Sequence, residues 1–243
     1  MPSPSDWQLA WGELAAVALL ATAYVVASRR HRPSPWRQAA FGAALALVLV
    51  GSVTPLATLA LHYLLSAHLV QNVLLAEWAP ALAVAGLGSG MAAALARYAP
   101  VRWLTHPLLA LPLWLASYDV WHIPALYEAA LRNDLVLHAE HASYFVTGAL
   151  LWWPLLHDSP RRLVSGAKAA YVFTAFVLAS PVGLLLALLP RPLYDYYVEA
   201  PRVRGIDPLT DQQMAGVLMA VSEAVVFFAV FAYFFLRFLA EEE

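Results

Sequence analysis

The sequence contains no cysteine and few charged residues. Without cysteine the chain forms no disulfide, zinc finger, iron–sulfur cluster or thiol nucleophile, so a bound metal must be held by His, Met or carboxylate side chains. Charged residues make up 12% of the 243 residues, whereas about 25% is usual in soluble domains. The formal net charge of −2, without a basic stripe, argues against nucleic-acid binding.

Long apolar runs take the place of charge, and 62% of the residues are hydrophobic. A helix that crosses a membrane needs about 20 apolar residues. Seven runs fit, and we predict one transmembrane helix for each: 7–27, 38–58, 64–88, 104–122, 135–156, 167–189 and 212–237. The sequence therefore predicts an all-α, multi-pass bundle of about seven transmembrane helices in a single domain, 1–243. Thr54-Pro55 is expected to end the regular helix of the second run.

The distribution of Lys and Arg predicts the orientation of the bundle, because cytoplasmic loops are enriched in them. Ten of the 14 basic residues lie in one alternating set of connections: Arg29, Arg30, Arg32, Arg37, Arg97, Arg102, Arg161, Arg162, Lys168 and Arg237. We therefore expect the N-terminus outside and the C-terminus in the cytoplasm. The longest outer connection is 190–211, which is rich in Pro and Tyr and could cover the outer mouth of the bundle.

Histidines and methionines gather near the predicted outer ends of the spans. His138 and His141 are three residues apart, so they share a helix face and could bind one metal ion. Imidazole and thioether ligands together suit copper. The same side chains could instead join helices by hydrogen bonds or fill gaps in the core. The candidate ligands are His62, His68, His122, His138, His141, Met214 and Met219.

Further polar side chains lie within the predicted spans, where they are costly and are therefore functional candidates. Gln71 and Asn72 continue the polar helix face of His68, and Glu140 lies between His138 and His141 but is expected to point elsewhere. Glu77 and Glu223 lie at mid-span, and they could serve a proton or ion path or simply make polar contacts between helices.

Four segments, in order along the chain, resemble the membrane-spanning CtaG family of cytochrome c oxidase assembly proteins. They are SAHLVQ at 66–71, WHIPALYEAAL at 121–131, HAEH at 138–141 and LTDQQMAG at 209–216. Members of that family usually carry His directly after the Gln of the first segment, where this chain has Asn72. The last span also departs from the family, because Met219 to Glu223 replace a Trp-x-Pro-Gly type of stretch.

The resemblance implies a seven-helix assembly factor, not an enzyme, in a bacterial plasma membrane. It would bind copper transiently at the outer face through His68, His122, His138 and His141, and help insert it into a haem–copper oxidase. Its expected partners are the lipid bilayer, oxidase subunits and other copper carriers. Three alternatives stay open: a redox protein with haem between His68 and His138 or His141, a permease using Glu77 and Glu223, and a structural oxidase partner that binds no metal.

Overall fold

The computed structural model describes residues 2–241, which form helices joined by short connections and contain no β-strand. The helices are α1 Trp11–His31, α2 Pro35–Val53, α3 Pro55–His62, α4 Leu65–Val73, α5 Ala79–Gly86, α6 Ser89–Leu95, α7 Ala99–Leu104, α8 Pro107–Trp121, α9 Pro124–Arg132, α10 Asp134–Leu156, α11 Ser165–Leu188, α12 Asp195–Glu199 and α13 Pro208–Glu241. A π-helical turn, Leu74–Trp78, joins α4 to α5 into one rod.

Among the described residues, five helical segments are long and apolar enough to cross a membrane. They are Trp11–His31, Pro35–Val53, Leu65–Gly86, Ser165–Leu188 and Pro208–Glu241. This confirms the all-α prediction and supports a membrane protein. Helices α8 and α10 coincide with the fourth and fifth predicted runs, but the count of seven crossings stays a prediction.

Two local signals in the sequence shape the helices near the candidate site. Helix α2 ends at Val53, and Thr54 caps α3 by accepting a hydrogen bond from the Leu56 amide at 3.3 Å. Pro55 then opens α3, so the Thr54-Pro55 break is confirmed where it was predicted. No comparable cap or proline signal led us to predict the π-turn at Leu74–Trp78. Turns of this kind are frequent at functional sites.

Glycines allow the closest helix contacts. A Cβ atom at Gly148 of α10 would lie 2.2 Å from the Ala76 carbonyl oxygen, and one at Gly216 of α13 would lie 2.4 Å from the Ala187 amide nitrogen. Backbones therefore touch at both places, as small residues permit in membrane bundles. Gly148 fixes α10 against the π-turn, and Gly216 fixes α13 against α11.

The bundle has two chemically different ends. The histidine end holds the side chains of His68, His122, His138 and His141, which we call the histidine cluster. The basic end holds the connections that carry most arginines, where the Arg161 guanidinium donates to the Arg102 carbonyl at 2.8 Å. Helix α1 is peripheral, and Glu13 is its one buried residue.

Candidate functional site

Two histidines of the cluster, His68 and His122, lie against the fully buried ring of Tyr127 on α9. The Tyr127 ring centroid lies 4.9 Å from that of His68 and 6.2 Å from that of His122, and it stacks on Tyr194 at 4.1 Å. Helix α10, which carries His141, packs against α8, α9 and the π-turn. The fifth predicted span is therefore next to both the third and the fourth, which sequence alone did not establish.

His68 is fully buried, and its partners define which ring nitrogen carries the proton. The Tyr197 hydroxyl donates its single hydrogen to the Ala60 carbonyl at 2.6 Å, so it accepts a hydrogen bond from Nδ1 of His68 at 2.9 Å. Tyr197 lies on the connecting helix α12, and burial raises the pKa of its phenol well above the ordinary value, which keeps it protonated. A neutral His68 then carries its lone pair on Nε2.

His122 and His141 have the same arrangement. Nδ1 of His122 donates to the Tyr118 carbonyl at 2.7 Å, and Nδ1 of His141 donates to Oε1 of Glu13 at 2.9 Å. In all three rings, Nε2 is buried and has no hydrogen-bond partner among residues 2–241. Metal-binding histidines are held in this way, with one ring N–H donated to a carbonyl or carboxylate and the other nitrogen free.

Glu13 of α1 is a site residue that the sequence analysis missed. Its Oε1 accepts hydrogen bonds from both His138 and His141 at 2.9 Å, and these bonds hold α1 on α10 at the histidine end. The sequence did carry a signal, because Glu13 is the one acidic residue of the first apolar run and acids there are costly.

Glu140 is fully buried in the interior of the bundle. Its Oε1 lies 3.9 Å from Nε2 of His68, and it accepts a weak hydrogen bond from the Asn72 amide at 3.4 Å. The 3.9 Å gap is too long for a hydrogen bond but close to twice a metal–ligand bond of about 2.0–2.1 Å. Asn72 therefore holds the carboxylate where the family usually has a histidine.

The types of side chain at this site suit copper, but the distances between them do not form a metal site. Free imidazole nitrogens and a carboxylate are ligands that copper(II) accepts, and imidazole suits copper in general. However, nowhere in the described part of the chain do three or more His, Asp or Glu side chains lie close enough to share one metal ion. Capture of an ion by three ligands therefore requires side-chain movement around Tyr127.

The other candidate ligands lie outside this arrangement. Met219 is buried in the apolar core, whereas Met214 is 45% exposed on another face of α13. His62 is half-buried at the end of α3. Gln71 is buried and donates to the Gly51 carbonyl at 2.9 Å, which joins α4 to α2.

Glu77 and Glu223 form a second polar site, deeper in the bundle. Both are fully buried, and both carboxyl oxygens of Glu77 lack a hydrogen-bond partner within the described chain. Tyr118 donates a hydrogen bond to Glu223. The adjacent side chains Trp78 and Ser222 are bonded at 3.2 Å, so the π-turn meets α13 at this level.

Comparisons with curated proteins and with solved structures find no match for this chain. Residues 18–241, which include the whole histidine cluster but not Glu13, match the family model described as cytochrome c oxidase caa3 assembly factor (Caa3_CtaG). This confirms the resemblance drawn from the four sequence segments. The chain therefore belongs to the cytochrome c oxidase caa3 assembly factor family.

Proposed function

We propose that this protein binds copper transiently at the histidine end and assists its insertion into an oxidase of the caa3 type. In this proposal the protein is a carrier, not an enzyme, and it works in a bacterial plasma membrane with the histidine end outside. The metal is cargo. Its partners are oxidase subunits that take the copper and other carriers that supply it.

One observation carries this proposal: three buried histidines, on α4, at the C-terminal end of α8 and on α10, each donate Nδ1–H to a fixed acceptor and keep Nε2 free. Histidines that only joined helices would be expected to use both nitrogens, because an unpaired buried acceptor costs about 1–3 kcal/mol. Glu140 supplies a carboxylate beside His68. A ligand set that closes only when side chains move suits a carrier, since a carrier must release its metal.

We expect the purified protein to bind about one copper ion, and to lose it when the free nitrogens are removed. The variant His68→Asn/His122→Asn/His141→Asn is suited to this test, because an asparagine amide nitrogen stands as many bonds from Cα as Nδ1 does. It therefore preserves the donor to each acceptor but removes Nε2. Competition with calibrated chelators, for copper(I) and copper(II) separately, should show an affinity at least 10-fold lower than that of the native protein.

The matched control is His157→Gln at the basic end. His157 is also buried, and its Nε2 is bonded to the Val84 carbonyl at 2.9 Å, a bond that the glutamine amide can replace. The control should bind copper like the native protein. Equal binding by the triple variant, or no binding by the native protein, would contradict the copper proposal, and a Soret band in the native protein would favour haem.

We also propose seven membrane crossings with the N-terminus outside, and the absence of native cysteine makes this testable. Asp134→Cys at the start of α10 should react with a membrane-impermeant maleimide on intact cells, whereas Ala99→Cys should react only after permeabilisation. If α8 did not cross the membrane, both sites would lie on one side and would react alike.

A further inference from the structure

A large apolar cavity lies between α1 and the rest of the bundle, towards the basic end. It has a volume of about 1100 Å³, which exceeds the roughly 300–1,000 Å³ of common small-molecule pockets. Its walls are apolar side chains of several helices, among them Leu20 and Ala27 of α1, Ala83 of α5, and Phe145, Ala149 and Trp153 of α10. This site is separate from the histidine cluster.

Helix α1 is fixed on both sides of this cavity, so the space is built into the fold. At the histidine end Glu13 accepts from His138 and His141. Further along α1, the Tyr24 hydroxyl donates to the Gly86 carbonyl at 3.0 Å, and its ring stacks on Phe41 at 3.9 Å. The cavity is therefore not produced by a loosely attached helix.

The cavity is basic where it reaches the end of the bundle. Arg30 and Arg97 both line it, together with His31. Neither arginine makes a salt bridge or a side-chain hydrogen bond with any residue in the described range. Unpaired arginines above an apolar cleft match a molecule with an anionic head and long apolar tails.

We propose that this cavity binds an anionic phospholipid, with its phosphate at Arg30 and Arg97 and its acyl chains between α1 and α10. Basic pockets between membrane helices bind anionic lipid headgroups in this way. The lipid would come from the leaflet at the basic end, which is the cytoplasmic one in the predicted orientation. It would fill the space that α1 leaves open and hold this helix to the bundle.

Lipid titration followed by native mass spectrometry tests this assignment. The native protein in detergent should retain phosphatidylglycerol in preference to phosphatidylcholine with the same acyl chains. Arg30→Gln/Arg97→Gln should lower phosphatidylglycerol affinity by about fivefold per arginine, or about 25-fold in total. The control Arg29→Gln/Arg102→Gln removes the same charge from the same end outside the cavity, and it should keep the native affinity.

A second pair of variants tests whether the acyl chains enter the cavity. Ala149→Phe fills the apolar wall and should lower retention of phosphatidylglycerol, whereas Ala139→Phe, at an exposed position of α10 outside the cavity, should not. Equal affinity for the two lipids, equal loss in the two arginine double variants, or native retention by Ala149→Phe would each overturn the proposal. None of these outcomes depends on whether the histidine cluster binds copper.

Discussion

Replacing Gly148 with alanine should unfold much of the protein at temperatures that the native chain withstands. The added Cβ atom would lie 2.2 Å from the Ala76 carbonyl oxygen and 2.8 Å from Cγ of Pro80, so backbones must separate. Overpacking of this kind costs about 1–3 kcal/mol, and we expect the upper end because a backbone atom cannot move aside like a side chain. A loss of about 3 kcal/mol multiplies the unfolded fraction more than 100-fold.

Gly42→Ala in α2 is the matched control, because beyond its own stretch of helix no atom lies within 4 Å of its added Cβ. Alanine favours helix over glycine by up to about 1 kcal/mol, so this variant should be as stable as the native protein or slightly more. The measurement is the fraction of protein left in the monodisperse size-exclusion peak after a series of heating steps in detergent. If both variants survived the same temperatures, the close contact between α10 and the π-turn would be wrong.

The contact at Gly148 also positions the candidate site. Helix α10 carries Glu140 and His141 two turns from this glycine, and the π-turn follows directly on the helix of His68. The depth to which α10 packs therefore sets the gap between His68 and Glu140. A bulkier side chain at 148 should weaken copper binding even in molecules that stay folded.

Much of the fold could be predicted from the sequence because the bilayer imposes simple rules on length and hydrophobicity. The apolar runs lie where the long helices are, and Thr54-Pro55 marks a real break. The π-turn at Leu74–Trp78 was not predictable, because an extra residue in one helical turn depends on tertiary packing. The sequence also indicated that the connection 190–211 could cover the outer mouth of the bundle. In the structure, the hydroxyls of Tyr196 and Tyr197 in this connection donate hydrogen bonds to the carbonyls of Leu61 and Ala60.

The candidate site could be predicted only in part from the sequence, because the side chains that come together depend on which helices pack against each other. Of the predicted ligands, His68, His122 and His141 come near one another. Helix geometry alone shows that the two methionines cannot share one helix face. They are five residues apart, which places Met214 and Met219 about 140° apart around a helix of 3.6 residues per turn. Glu13 and Tyr127 needed the structure, because their importance comes from the histidines that they touch.

Asp211 at the start of α13 is the second residue whose loss should have a large effect. Its carboxylate is buried and accepts hydrogen bonds from the amides of Leu65 and Ser66, at 2.6 and 3.2 Å, and from the Ser66 hydroxyl at 2.5 Å. It therefore caps the N-terminus of α4, where a negative charge also interacts favourably with the helix dipole. His68 follows on that first turn, so Asp211 holds the residue at the centre of the cluster.

Asp211→Ala should cost about 3 kcal/mol, because it leaves two buried amide donors without an acceptor and removes bonds to a charged group. Asp195→Ala is the control: this exposed carboxylate at the same end accepts no side-chain hydrogen bond among the described residues, and its loss should change stability by no more than about 0.5 kcal/mol. The heating series should separate the two variants clearly. In molecules of Asp211→Ala that remain folded, α4 loses its anchor, so copper affinity should fall as well. Native affinity in such molecules would mean that His68 is positioned by Tyr197 alone.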